Sequence, residues 1–122
     1  MSEENKEFDF EKLEVYQLAL ELLSLLFRIY KSLARDIKFM IGENHIRAGL
    51  SISNNIAEGS GKRHKNEKKR FYGISLDSAR ETISMLNVLK REGFIDDKIY
   101  NEMRHLARRI TGKLVNLIGS VN

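Results

Sequence analysis

The stretch from Ala57 to Gly73, AEGSGKRHKNEKKRFYG, places six basic residues in nine positions: Lys62, Arg63, Lys65, Lys68, Lys69 and Arg70, against the single acid Glu67. Cations at this density, following Gly59 and Gly61, have the chemistry of phosphate binding. Each neutralised phosphate releases counterions, and free backbone N–H groups at a helix start add their partial positive charge. A second basic set, Arg104, Arg108, Arg109 and Lys113, falls at i, i+4 spacing on one later segment. Base-specific readout is not indicated. Only Phe71 and Tyr72 adjoin the run, and Phe71 sits in an apolar row that reads as core.

Other chemistries fit less well. A di-iron helical bundle needs one Glu from each of two helices and a Glu-x-x-His pair from each of the other two. Glu102-x-x-His105 is the one such pair, while His45 and His64 have no carboxylate at the required spacing. The chain has no cysteine, hence no thiolate nucleophile, disulfide or Cys-based zinc site. It also lacks a nucleophile-elbow motif. Gly59-Ser60-Gly61-Lys62 lacks the first glycine of a P-loop and follows a helix rather than a strand. The chain therefore reads as non-enzymatic, with no catalytic residue, no metal and no cofactor.

Helices must carry these residues. Proline is absent from all 122 residues, so nothing interrupts long helices. The first is expected from about Phe10 to Ala34. Its polar residues Glu14, Gln17, Glu21, Ser24, Arg28, Lys31 and Arg35 alternate by three and four, a heptad stripe. Between Leu13 and Ala34, 15 of 22 residues are apolar, whereas one core-facing stripe needs only about three in seven. The surplus calls for cover on a second side, which points to self-association as a homo-oligomer.

A second helix is expected from Ile37 to about Glu58, N-capped by Asp36 and terminated at Gly59 and Gly61. Gly42, Gly49 and Ser53 share a face, which implies close approach of another helix. Asn66 is the expected cap of a third helix ending near Glu92, with Gly93 as its stop. Asp96 or Asp97 caps a fourth. Short connections make this all-α: an up-down-up-down antiparallel four-helix bundle over residues 10–122. Residues 1–9 form an acidic lead-in, expected to be flexible.

Net charge is +4, but residues 1–14 hold six acids and two bases, so the remainder stands at +8. A basic body of this kind attracts polyanions. The acidic N-terminal segment resembles neither a secretory signal nor a transit peptide, and no apolar run approaches the roughly 20 residues of a spanning helix. The expected location is a reducing cytoplasm, with no membrane partner.

Within otherwise apolar rows of helices two and three stand Asn55, Glu58, Ser78 and Glu81. Their placement favours a hydrogen-bonded pairing that fixes helix register over a binding pocket, because buried polar groups must be partnered.

Taken with Arg47-Ala48, Ser51-Ile52, Asn55-Ile56-Ala57-Glu58-Gly59, Gly61-Lys62-Arg63, Phe71, Ile74, Ser78 and Glu81, the chain resembles the four-helix-bundle proteins of 23S ribosomal RNA intervening sequences, formerly labelled ribosomal proteins. Many of those relatives carry an aromatic residue where Lys68 stands here. The resemblance implies a ring-like assembly, a homopentamer, without established catalysis. A related branch serves as the accessory protein of diversity-generating retroelements, binding a reverse transcriptase and nucleic acid.

Lys68, Lys69 and Arg70 are expected in the first turns of helix three, where the helix dipole disfavours cations. A bound phosphate would reverse that penalty. The reading that follows is a homo-oligomeric scaffold binding RNA or DNA backbones without sequence specificity. The alternative is a protein-interaction adaptor, such as a reverse-transcriptase accessory subunit.

Overall fold

The computed structural model describes residues 6–121. Residues 1–5 of the acidic lead-in lie outside the described residues. Four long helices form the body: α1 (Glu14–Ser32), α2 (Glu43–Gly61), α3 (Lys65–Arg91) and α4 (Asp97–Ser120). Each packs against two others, in the cyclic order α1, α2, α3, α4 and back to α1. With connections of ten, three and five residues, this is the antiparallel four-helix bundle that the periodicity requires. Among the described residues there is no strand.

The heptad stripe on α1 is the key to its orientation. Glu14, Gln17, Glu21, Ser24, Arg28 and Lys31 are all exposed, while Val15, Leu18, Ala19, Leu22, Leu25, Leu26 and Ile29 are buried. They meet Ile52 and Ile56 of α2, Leu86 and Leu89 of α3, and Met103, Ile110 and Leu114 of α4 in one core. Fully burying such a side chain stabilises by roughly 1.5–3 kcal/mol each. The expected surplus on α1 is present: Leu20 and Phe27 remain exposed, Phe27 at 42%.

Several helix ends differ from the sequence expectation. Before α1, Asp9–Lys12 form a 3-10 turn in which the Phe8 amide donates to Glu11 Oε1 at 2.9 Å, and Phe10 packs edge-on against Tyr16 at 4.9 Å. The second helix starts earlier than expected. A turn at Arg35–Ile37 leads through a π-helical turn, Lys38–Gly42, directly into α2. Asp36 lies inside that first turn rather than capping it. The π turn adds a residue to the repeat, which swings Phe39 and Met40 outward to 79% and 71% exposure.

Asn66 also lies inside α3; His64 occupies the N-cap position and makes no side-chain cap bond. At the other end of α3 the expectation holds. Gly93 has φ +79°, its N–H donates to Lys90 O, and the Phe94 N–H donates to Leu89 O, a Schellman closure. Asp96 caps α4 by accepting from the Ile99 N–H at 3.0 Å.

Gly59 neither adopts a left-handed conformation nor ends α2. It is buried within the helix, and a Cβ there would meet the Tyr72 ring at 2.9 Å. Gly49 likewise admits a close neighbour, because a Cβ there would overlap Leu26 Cδ1 of α1. The small face anticipated from Gly42, Gly49 and Ser53 is thus a close helix contact. α1 presses on it at both glycines, while Ser53 is buried.

Candidate nucleic-acid interface

Most of the basic run is helical. Only Lys62, Arg63 and His64 connect α2 to α3, so Lys65, Lys68, Lys69 and Arg70 project from the first turns of α3. This sharp reversal brings the N-terminus of α3 beside the C-terminus of α2. Lys68 uses the juxtaposition: its Nζ donates to Gly59 O and to Ser60 O, both at 2.9 Å, and lies 5.7 Å from the Tyr72 ring centroid. These carbonyls belong to the last turn of α2, at the negative end of that helix dipole, and Gly59 O also accepts the C-cap Lys62 N–H at 3.2 Å. The cation that opposes the α3 dipole therefore satisfies the α2 terminus. Lys68 is thus engaged as a cap on the end of α2.

Other members of the run are also partly engaged. Lys62 approaches Glu58 Oε2 at 3.8 Å and lies over the Phe71 ring at 5.1 Å, with Arg70 over the same ring at 4.6 Å. Phe71 is half-buried beneath these cations, and Tyr72 is the core aromatic, with burial raising its hydroxyl pKa. Arg63, Lys65 and Lys69 are exposed and have no ion pair among the described residues.

The second basic set divides in the same way. Arg109 and Lys113 hold Glu14 of α1 between them, at 3.2 and 3.0 Å, and the Lys113 hydrogen bond leads in holding that carboxyl below its ordinary range. Arg104 lies over the Tyr100 ring at 5.5 Å, and Arg108 is exposed. Arg104 and Arg108 line a groove between α3 and α4 together with Arg80, which sequence reasoning missed. Nothing in its spacing linked Arg80 to the later pair; the α3–α4 packing brings them together.

The inward polar residues resolve into two groups. Ser78 is buried and its Oγ lies 2.7 Å from Ser51 Oγ, while Asn55 Nδ2 donates to Ser51 O and Ser51 Oγ at 2.8 and 3.0 Å. Ser75 Oγ donates to Ile52 O at 2.8 Å, and buried His45 Nε2 meets Thr82 O at 3.0 Å. A carbonyl only accepts, so His45 is protonated at Nε2, and burial pulls its pKa below the ordinary histidine value. This polar seam fixes the α2–α3 register.

Glu58 and Glu81 do not belong to the seam, because both are exposed on the outer sides of their helices. Arg47, also exposed, donates to Asn44 Oδ1 at 3.5 Å. Beside it, Phe27, Tyr30, Ile46 and Leu50 line an apolar groove between α1 and α2. Glu102 and His105 are exposed, and among the described residues no cluster of three or more His, Asp or Glu side chains could hold a metal. No helix of the described residues is long and apolar enough to cross a membrane.

Residues 11–116 match the family model of the 23S rRNA-intervening sequence protein. Among solved structures, the chain is similar to a protein of unknown function from the S23 ribosomal protein family of Bacteroides thetaiotaomicron VPI-5482. The two share 26% identity at a TM-score of 0.80, over 87% of this chain and 96% of that one. No curated protein matches.

Proposed function

The chain belongs to the 23S rRNA-intervening sequence protein family, and from that premise we propose that it is a non-enzymatic, ring-like homo-oligomeric scaffold, a homopentamer, that grips RNA or DNA backbones without sequence specificity. One observation carries the reading. Arg63, Lys65, Lys69 and Arg108 are exposed cations without an acidic partner among the described residues, and the first three fall within seven residues at the reversal between α2 and α3. Such charges attract a polyanion through counterion release rather than base contacts.

Assembly multiplies a modest site. Phe27 and Leu50 flank the α1–α2 groove as exposed apolar side chains. Sealing that groove against a second copy would repeat the basic surface around the assembly, so that many weak phosphate contacts act together.

The test separates grip from fold. Neutralising Arg63, Lys65 and Lys69 to Gln spares the Lys68 cap, so sedimentation mass stays unchanged while affinity for labelled single-stranded RNA falls steeply. Unchanged affinity in that triple variant contradicts the site. The same apolar groove also favours a second reading, an adaptor for a foreign protein such as a reverse transcriptase. A monomeric mass for the purified chain would favour the adaptor.

A further inference from the structure

We propose that the groove between α3 and α4 is a receptor for a phosphate monoester, the terminal phosphate of a free nucleotide or of a 5′-phosphorylated nucleic-acid end. This goes beyond backbone binding, because it concerns a chain end and draws on a residue outside the basic run. The groove is an open cleft of about 320 Å³, lined by Arg80 of α3 and by Arg104 and Arg108 of α4. No carboxylate lines it. None of the three guanidinium groups has an ion pair among the described residues.

The remaining polar lining supplies further donors. Tyr100 organises two parts of the site: its ring lies under Arg104 at 5.5 Å, and its hydroxyl donates to Asn87 Oδ1 at 2.8 Å. That bond occupies the Asn87 carbonyl and leaves its NH2 to donate, beside the Ser84 hydroxyl. Buried Ala79 and Ala107 form a small-residue floor, which keeps the cleft open between the arginines.

Stoichiometry of charge selects the ligand. A monoester carries about −1.5 to −2 at pH 7 and offers three strong acceptor oxygens, which match three forked guanidinium donors. An internal diester offers less charge and fewer terminal oxygens.

The experiment uses isothermal titration with AMP and with adenosine. It adds anisotropy with one oligonucleotide in 5′-phosphorylated and 5′-hydroxyl forms, on the wild type and on Arg80→Gln. AMP binds and adenosine does not. Arg80→Gln weakens AMP by at least about tenfold, the usual scale for one charge-assisted contact. A 5′-phosphorylated end that binds about tenfold tighter than its hydroxyl twin identifies a nucleic-acid terminus as the source. AMP binding without an end preference identifies a free nucleotide. Failure of AMP to bind, or equal AMP affinity in Arg80→Gln, overturns the proposal. Loss of oligonucleotide binding with AMP binding retained sinks the backbone reading and leaves this groove standing.

Discussion

Replacing Lys68 with Met tests whether the basic run is partly structural. The substitution keeps the aliphatic stem over Tyr72 and removes the two bonds to Gly59 O and Ser60 O. Two hydrogen bonds from a charged donor, at about 1.5–3 kcal/mol each, set a ceiling near 3–6 kcal/mol. Lys68 is only half-buried, and water re-solvates the released carbonyls, so screening reduces the expected loss to about 1–2 kcal/mol. For a chain of this size that lowers Tm by roughly 3–8 °C. Lys69→Met is the control: its side chain is exposed without an ion pair, so the change stays within about 0.5 kcal/mol. Thermal unfolding of both variants, at one protein concentration because assembly shifts Tm, decides the matter. Equal melting temperatures would refute the capping argument and return Lys68 to the phosphate-binding set.

Gly112→Ala, with nothing within 4 Å of its Cβ, should stabilise by about 0.8–1 kcal/mol, while Gly49→Ala should destabilise because overpacking against Leu26 exceeds that gain; chemical denaturation reads both. His45 has a folded pKa depressed below its unfolded value, so its neutral form favours the native state above about pH 6.5 and stability declines as pH falls below that. The decline reaches at most about 1.4 kcal/mol per pH unit for this group, and His45→Gln should flatten it in denaturation curves from pH 7 to 5. Glu14→Gln releases Arg109 and Lys113, so affinity for single-stranded RNA should rise; a fall would contradict backbone binding by the α4 face. Phe27→Asp should reduce the assembled mass in light scattering if the α1–α2 groove is the self-association surface.

The bundle was legible in the sequence because its signals are local and periodic. The alternating stripe from Glu14 to Lys31 specifies one exposed line on α1, and Gly93 and Asp96 act within a few residues of themselves. What escaped depends on two segments meeting. Asp36 and Asn66 are good capping residues placed one or two positions inside real helices. The π turn at Lys38–Gly42 has no side-chain signature that would have shifted the start. Gly59 reads in the sequence as a helix stop, yet it is small because Tyr72 presses on it. Lys68 looked uncompensated because its partners are carbonyls of the preceding helix, which sequence charge counts omit. Glu58 and Glu81 share sequence rows with Asn55 and Ser78, but a helical row covers a wide arc, and their carboxylates lie at its exposed edge.

The most direct measurement of the central claim is the salt dependence of binding to unstructured single-stranded RNAs of different base composition. Log affinity should fall linearly with log salt and be nearly independent of sequence, and the Arg63, Lys65 and Lys69 triple-Gln variant should have a slope shallower by about 2 per copy engaged. No binding at about 50 mM salt, or a strong affinity that is indifferent to salt, would contradict the account.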